Sequence, residues 1–270
     1  MREIAHIRAT MLGRFALQQT GMKEPQMVSL AGRSGRLWTL VAYLILHRDR
    51  GIPAQELIDL LWPDGSGSNP ASTLQNNASR ARNAMATLGF SDTKGMIRYE
   101  NGLYRWVPGT DTWLDVDVFE NLARRALETS DPEELRTLGR EAADLYQGDF
   151  LPDAADELWC ADLHAYYRSL FVRLFRRLVQ ELMRTQEYTE AALCAQAVHL
   201  DPLSEEFSLL LMQNLTRSHQ AQQALDHYEA LQKLYQENYG LTPSPELEAA
   251  RLTASQELYG GGMGPAALET

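Results

Sequence analysis

Short alternating apolar runs open the chain, Ile4 to Leu17 and then Met27 to Leu30, interrupted by Gly21 and Pro25. A period of two with turn residues between reads as small antiparallel strands. From Ser34 the period lengthens: Leu37, Leu40, Val41, Leu44 and Ile45 recur at helical spacing and run out over His47 to Gly51, where basic residues and a glycine suit a helix C-terminus. A second helix, Ala54 to Leu61, carries Leu57, Ile58 and Leu61 on one face and stops at Trp62-Pro63, because a residue before proline is pushed out of the helical region. After the loop PDGSGSN, Asn69-Pro70 supplies an N-cap and a first-turn proline for a third helix that reaches about Leu88 and closes at Gly89. Its apolar seam is Leu74, Ala78, Ala81 and Met85. In MIRYENGLYRWV, Asn101-Gly102 between two alternating runs predicts a two-residue hairpin turn. That turn sets Ile97 opposite Trp106, Arg98 opposite Arg105 and Tyr99 opposite Tyr104, with Ile97, Tyr99, Tyr104 and Trp106 on the inner face. Strands, three helices and a hairpin in this order spell a winged helix.

Beyond Pro108 the pattern is helical to the end, with starts marked at Asp131-Pro132, Asp201-Pro202 and Ser244-Pro245, and a capping box in Asp117 and Glu120. The stretch Tyr188 to Pro202 is echoed by Ala221 to Tyr235, Ala192-Leu193 matching Ala224-Leu225, a spacing near the tetratricopeptide period. Such hairpins stack to bury their apolar faces, and Leu158 to Arg184 supplies the preceding helix. The expected fold is mainly α: an α+β winged helix over 1–110, an all-α tetratricopeptide-like domain over 111–260, and a frayed tail over 261–270.

Charge sharpens this division. Residues 1–110 hold 13 Lys and Arg against 8 Asp and Glu, a balance of +5, and residues 111–270 hold 12 against 28, a balance of −16. A basic head on an acidic body is the distribution of a phosphate-binding module joined to one that does not bind phosphate. No apolar stretch is long enough to span a bilayer, and MREIAHIRATMLGRFAL mixes charges into its hydrophobic positions, so no membrane partner and a cytoplasmic location are expected. The two cysteines, Cys160 and Cys194, sit in helical stretches and read as small core residues.

At 100° per residue the third helix sets Asn76, Ser79, Arg80, Asn83 and Thr87 opposite its apolar seam, with Gln75 and Arg82 at the flanks facing phosphates. Amide, hydroxyl and guanidinium groups match base edges in a major groove; the same residues also suit a plain solvated face. On the hairpin, Arg98 and Arg105 stand directly opposite one another, a destabilising pairing unless an anion lies between them, and they read as a phosphate or minor-groove clamp or as solubilising charges on an exposed edge. Arg33, Arg36, Arg48 and Arg50 bracket the first helix, touching the DNA backbone or decorating helix ends. The DNA-binding candidates are thus Asn76, Ser79, Arg80, Arg82, Asn83, Arg98 and Arg105. No catalytic set, cofactor loop or metal site is expected: the glycine-rich segments do not open helices at phosphate-binding spacing, and Cys160 with His164 lacks a second ligand pair.

Taken together, LGRFAL, RLWTLVAYLILHRDR, AQELIDLLWPD, ASRARNAM, DVDVFENL, LYQGDFLP followed by Trp159, LDPLSEEFSLLLMQNL, ALDHYEALQKLYQENYG and LTPSPELEA resemble the bacterial transcriptional activator domain family, which includes the Streptomyces antibiotic regulatory proteins. The resemblance implies an OmpR-type winged helix whose third helix, Pro70 to Leu88, enters the major groove, a helical activator domain behind it, and activation at promoter repeats through contact with RNA polymerase. Arg80 and Arg82 match the basic pair usual in that helix, whereas Ala78 and Ala81 stand where relatives carry Leu or Val, and Gln75 stands for a basic residue. The expected function is a non-enzymatic, DNA-binding transcription activator, with double-stranded promoter DNA and RNA polymerase as partners and a homodimer left open. Two alternatives stay open: an interaction adaptor whose winged helix no longer binds DNA, and a regulator sensing a small molecule against Trp159, Tyr166 and Tyr167.

Overall fold

The computed structural model describes residues 6–65, 69–108, 111–190, 197–200 and 202–260. Asp201, Cys194, the repeat pair Ala192-Leu193 and the expected tail lie outside the described residues. The chain is mainly helical, with small sheets at its N-terminal end followed by an all-helical region. Its contacts form two compact units, one of residues up to Leu122 together with Asp144–Phe171, the other of Ala123–Ala143 together with residues from Val172 on.

In the first unit the opening alternation becomes β1 (Ile7–Thr10), β2 (Ala16–Gln19) and β3 (Gln26–Met27), antiparallel in sequence. Then come α1 (Gly35–Leu46), the two-residue strand β4 (Ile52–Pro53), α2 (Ala54–Leu61) and α3 (Pro70–Thr87). The cap of α3 is the expected one: Asn69 Oδ1 accepts from the Ser72 N–H at 3.1 Å, Pro70 takes the first turn, and Gly89 leaves the helix at φ +96°. A short α4 (Thr93–Met96), absent from the sequence pattern, leads into the hairpin β5 (Ile97–Glu100) and β6 (Leu103–Trp106). Asn101 and Gly102 both take positive φ, 52° and 81°, which the tight turn requires. The hairpin joins β4 in a sheet of order β4-β6-β5.

Residues 112–114, which lie in the region beyond Pro108 expected to be helical throughout, are instead a strand that closes this unit. β7 (Thr112–Leu114) pairs parallel with β1, Ile7 against Thr112 and Ala9 against Leu114, giving a four-stranded sheet of order β3-β2-β1-β7. Parallel neighbours need a long crossover, and here the crossover is the whole set of α1–α4 with the hairpin. Asp115 then opens α5 (Asp115–Glu128). Its carboxylate is buried and accepts from the Met11 N–H at 2.8 Å to each oxygen, from the Leu12 N–H at 2.9 Å and from the Val116 N–H at 2.8 Å. The expected capping box at Asp117 and Glu120 is not formed, because the helix starts two residues earlier. Asp117 pairs with Arg48, and Glu120 accepts from the Tyr166 hydroxyl at 2.8 Å.

Residues 147–151 run against the same strand end. Gly13 N–H donates to the Asp149 carbonyl at 2.9 Å and Leu151 N–H to the Met11 carbonyl at 2.9 Å. A Cβ on Gly148 would lie 2.7 Å from the Gly13 Cα, so this crossing admits only glycine. Behind it Phe119, Tyr146, Phe150, Tyr167 and Phe171 form an aromatic core, with the Tyr146 ring stacked on Phe171 at 4.1 Å.

The second unit contains most of α6 (Pro132–Leu145), the later half of α7 (Leu158–Arg184), and three helices that pack on one another: α8 (Glu205–Arg217), α9 (Ala221–Tyr239) and α10 (Pro245–Gly260). Ser204 caps α8, its hydroxyl accepting from the Phe207 N–H at 3.3 Å, and Gly240 ends α9 at φ +64°. The seam is Phe207, Leu211, Met212 and Leu215 on α8, Ala224, Tyr228, Leu231 and Tyr235 on α9, and Leu247 and Ala254 on α10. Arg177 donates to the Leu127 and Thr129 carbonyls, partners for groups that the end of α5 leaves without helical donors.

Burial pushes the Asp115 carboxyl up to about 6, against the pull of the backbone N–H groups it accepts from. An unfolded aspartate titrates at about 3.9. The folded chain therefore holds this proton more tightly, and the stability it contributes is complete below about pH 4 and lost as the pH rises to about 6. Relative to Asp115→Asn, which does not titrate, the parent chain should lose roughly 3 kcal/mol over that window and nothing above it. Urea unfolding of both chains across the window checks this, and a pH-independent difference would refute it.

Candidate nucleic-acid interface

On α3 the division of faces is sharp. Leu74, Ala78, Ala81 and Met85 are buried against α1 and α2, while Asn76, Ser79, Arg80, Asn83 and Thr87 are exposed. The Thr87 hydroxyl donates back to the Asn83 carbonyl at 3.0 Å. Arg80 has no carboxylate partner among the described residues. Between the faces lies Asn77, which the sequence reading passed over. It is buried, and its Nδ2 donates to the Arg36 carbonyl at 3.2 Å, tying α3 to the start of α1. The signal for it was its position, one residue before Ala78 in the seam.

Arg82 is half-buried, and its guanidinium is committed: Nε and Nη2 both donate to the Ile97 carbonyl, at 3.0 and 2.8 Å. Rather than projecting outward, it ties α3 to the first residue of the hairpin. This two-pronged bond, made from a helix to the edge strand of another sheet, sets where the hairpin stands relative to the exposed face of α3.

The hairpin register is the expected one, Ile97 against Trp106, Arg98 against Arg105 and Tyr99 against Tyr104. Arg98 and Arg105 are exposed and have no carboxylate partner among the described residues. Arg105 lies over Gly51, where a Cβ would come within 3.0 Å of its guanidinium carbon, so it leans toward β4 and away from the β5 side that carries Arg98. Tyr99 departs from expectation. Ile97, Tyr104 and Trp106 are buried on the inner face, but Tyr99 is 47% exposed because β5 is an edge strand and the core ends before it.

The other arginines divide. Arg50 bonds both Glu56 oxygens and Arg48 pairs with Asp117, so both are held by acids. Tyr43 donates to the same Glu56 at 2.8 Å, and burial together with that carboxylate pushes its hydroxyl up to about 12. Arg36 and Lys94 are exposed without carboxylate partners among the described residues, and the Arg33 side chain lies outside them.

The remaining candidates are committed to the fold. Cys160 is buried and its thiol is pushed up to about 12 by that burial, while His164 Nε2 lies 3.5 Å from Asp149. Tyr167 is packed between Phe119 and Phe150, and Trp159 donates to Glu157 at 3.0 Å with its ring edge-on to Tyr43. Among the described residues no group of three metal-ligating side chains occurs, and no helix is long and apolar enough to cross a membrane.

A family model described as "Bacterial transcriptional activator domain" matches residues 114–253. The chain is 27% identical over 220 residues to "Transcriptional regulator RedD" of Streptomyces coelicolor, covering 78% of this chain and 61% of that protein. It is 28% identical over 231 residues to "Regulatory protein AfsR" of the same organism, covering 82% of this chain and 22% of that one. This chain thus spans less than two thirds of either relative. Among solved structures, "Mycobacterium tuberculosis EmbR in complex with low affinity phosphopeptide" superposes with a TM-score of 0.61 at 17% identity, covering 94% of this chain and 66% of that one, a likeness of fold.

Removing the Arg82 guanidinium should loosen the hairpin while leaving the α3 seam in place. Arg82→Ala is expected to cost about 1–3 kcal/mol, and Arg82→Lys to recover only part, since an ammonium cannot reproduce the fork. Faster amide exchange at Val107, whose N–H donates to the Met96 carbonyl at 2.7 Å beside the hairpin, reads the local effect. Protection and stability equal to the parent's in the alanine variant would show that the bond positions nothing.

Proposed function

Because this chain belongs to the bacterial transcriptional activator domain family, we propose that it is a cytoplasmic transcription regulator which binds double-stranded promoter DNA through α3 and the β5–β6 hairpin and activates transcription through its helical region. The observation that carries this reading is the outer face of α3, composed of amides, hydroxyls and the unpaired Arg80, within a stretch that has no Asp or Glu between Asp64 and Asp92. Such a face offers a major groove donors and acceptors with no charge to repel phosphate. Asn76, Ser79, Arg80 and Asn83 are assigned to base edges. Arg98 and Arg105 are assigned to the sugar-phosphate backbone, and Arg82 holds the two elements in register.

DNA binding is assigned to residues 1–110 and activation to 111–260, following the shift from +5 to −16; this division of labour does not coincide with the two compact units. RNA polymerase is the proposed partner of the acidic helical region, and a homodimer fits binding at promoter repeats. The names of the curated relatives, a transcriptional regulator and a regulatory protein, support the same reading. It assigns the chain no catalytic step, cofactor or metal.

A titration against DNA at several salt concentrations tests it. Arg36, Arg80, Lys94, Arg98 and Arg105 are exposed cations around α3 and the hairpin that have no carboxylate partner among the described residues. Four to six phosphate contacts give a slope of log affinity against log salt of about −4 to −5. Arg80→Ala and Asn83→Ala should each cost about 1–3 kcal/mol on a preferred duplex and relax its sequence preference. Arg98→Ala and Arg105→Ala should instead weaken preferred and random duplexes alike and shallow the slope by about one unit each. Absence of DNA binding by the parent chain would leave the adaptor reading in its place.

A further inference from the structure

Tyr99 is the large side chain of the hairpin's inner face that the core leaves open. Its face-mates Ile97, Tyr104 and Trp106 are 2% exposed or less, against 47% for Tyr99. The topology accounts for the difference. In the order β4-β6-β5 the Tyr99 strand is the edge, so its ring has a strand neighbour on one side only, Tyr104, at 4.7 Å and tilted by 39°. Helix α3 reaches this strand at Ile97, through Arg82, and two residues further along a strand is roughly 7 Å. Tyr99 therefore stands two residues beyond the point that α3 reaches, on the hairpin face opposite the one carrying Arg98. The Tyr99 hydroxyl itself has no hydrogen-bond partner among the described residues.

A half-exposed phenol with a free O–H, on a hairpin whose opposite face carries the exposed Arg98 and Arg105, is suited to a polyanion that carries apolar surface between its charges. The deoxyribose-phosphate backbone of a duplex is such a ligand: its sugar packs against a ring, and its phosphate oxygens accept from a neutral hydroxyl. We infer that Tyr99 is a DNA-backbone contact, its hydroxyl donating to a phosphate of the strand that passes between α3 and the hairpin and its ring lying against the adjoining sugar. This rests on the DNA-binding reading above and adds to it a contact that carries affinity without charge or base information.

The test compares the full chain with Tyr99→Phe and Tyr99→Ala on a duplex selected by the parent from a randomised pool and on a random-sequence duplex, across a range of salt. Tyr99→Phe should weaken both duplexes by the same factor, about threefold to fivefold, and Tyr99→Ala by about tenfold. The salt slope should stay at the parent's value in the phenylalanine variant, because a neutral hydroxyl releases no counterion. Phenylalanine keeps the ring against Tyr104, so an unchanged thermal midpoint separates the lost contact from a loosened hairpin. A phenylalanine variant that binds like the parent overturns the inference, as does one weakened on the selected duplex alone or one with a shallower salt slope. A parent chain that bound neither duplex would overturn the DNA reading and this contact together, whereas binding by the parent that Tyr99→Phe leaves unmoved overturns only the contact.

Discussion

The carboxylate of Asp115, held by the backbone N–H groups of Met11 and Leu12 and by that of Val116, is the contact on which the first unit depends. A strand end and a helix start each present backbone donors with no partner in their own element, and burying them without one costs about 1–3 kcal/mol each. One carboxylate satisfies both. In doing so it fixes where β7 lies beside β1, where α5 begins, and how closely residues 147–151 approach Gly13. The cost is a buried acid, whose carboxyl the burial pushes up to about 6. The arrangement is stable only because the bonds to the charged form offset much of the desolvation.

In the same unit the face of α3 is presented by the packing of its seam on α1 and α2. Its seam residues are small at Ala78 and Ala81, and Asn77 adds a polar tie to the start of α1. Arg82 carries the same logic to the hairpin. A guanidinium that could have faced phosphate is used to hold a carbonyl, and the gain is a set distance between two binding elements, which preorganisation converts into affinity. The arginines that remain outward, Arg80, Arg98 and Arg105, are then free of the acids that engage Arg48 and Arg50. Position relative to α5 and α2 decides which arginine is structural, since Asp117 and Glu56 stand on those helices.

The second unit is built from repeated local rules. Three of its helices start at Pro132, Glu205 and Pro245 with acids in the first turn, where they meet the positive end of the helix dipole. Tyrosines supply long-range ties across the packed array. Tyr235 donates to the Leu203 carbonyl at 2.7 Å and Tyr228 to Glu248 at 2.6 Å, with Arg251 holding the other side of that carboxylate at a value of about 2. Acidic residues are therefore partly consumed in fixing helices to one another, and the excess is left on the surface to give this region its charge.

What the sequence determined by itself was set by neighbours along the chain: the helices at 35–46, 54–61 and 70–87, the Asn69 cap, the Asn101-Gly102 turn and, through that turn, the pairing of Arg98 with Arg105. The two faces of α3 followed from period alone, and with them Asn76, Ser79, Arg80 and Asn83. The tertiary structure decided what each side chain meets across long separations. It made a parallel strand of a three-residue segment whose partner lies more than a hundred positions away, moved the start of α5 from Asp117 to Asp115, turned Arg82 from the groove to a carbonyl, swung Arg105 over Gly51 and left Tyr99 in the open. Periodicity reports which face a residue is on, because the backbone repeats. It cannot report where a neighbouring element stops covering that face or which distant backbone donor lacks a partner, since both depend on the three-dimensional path of the chain.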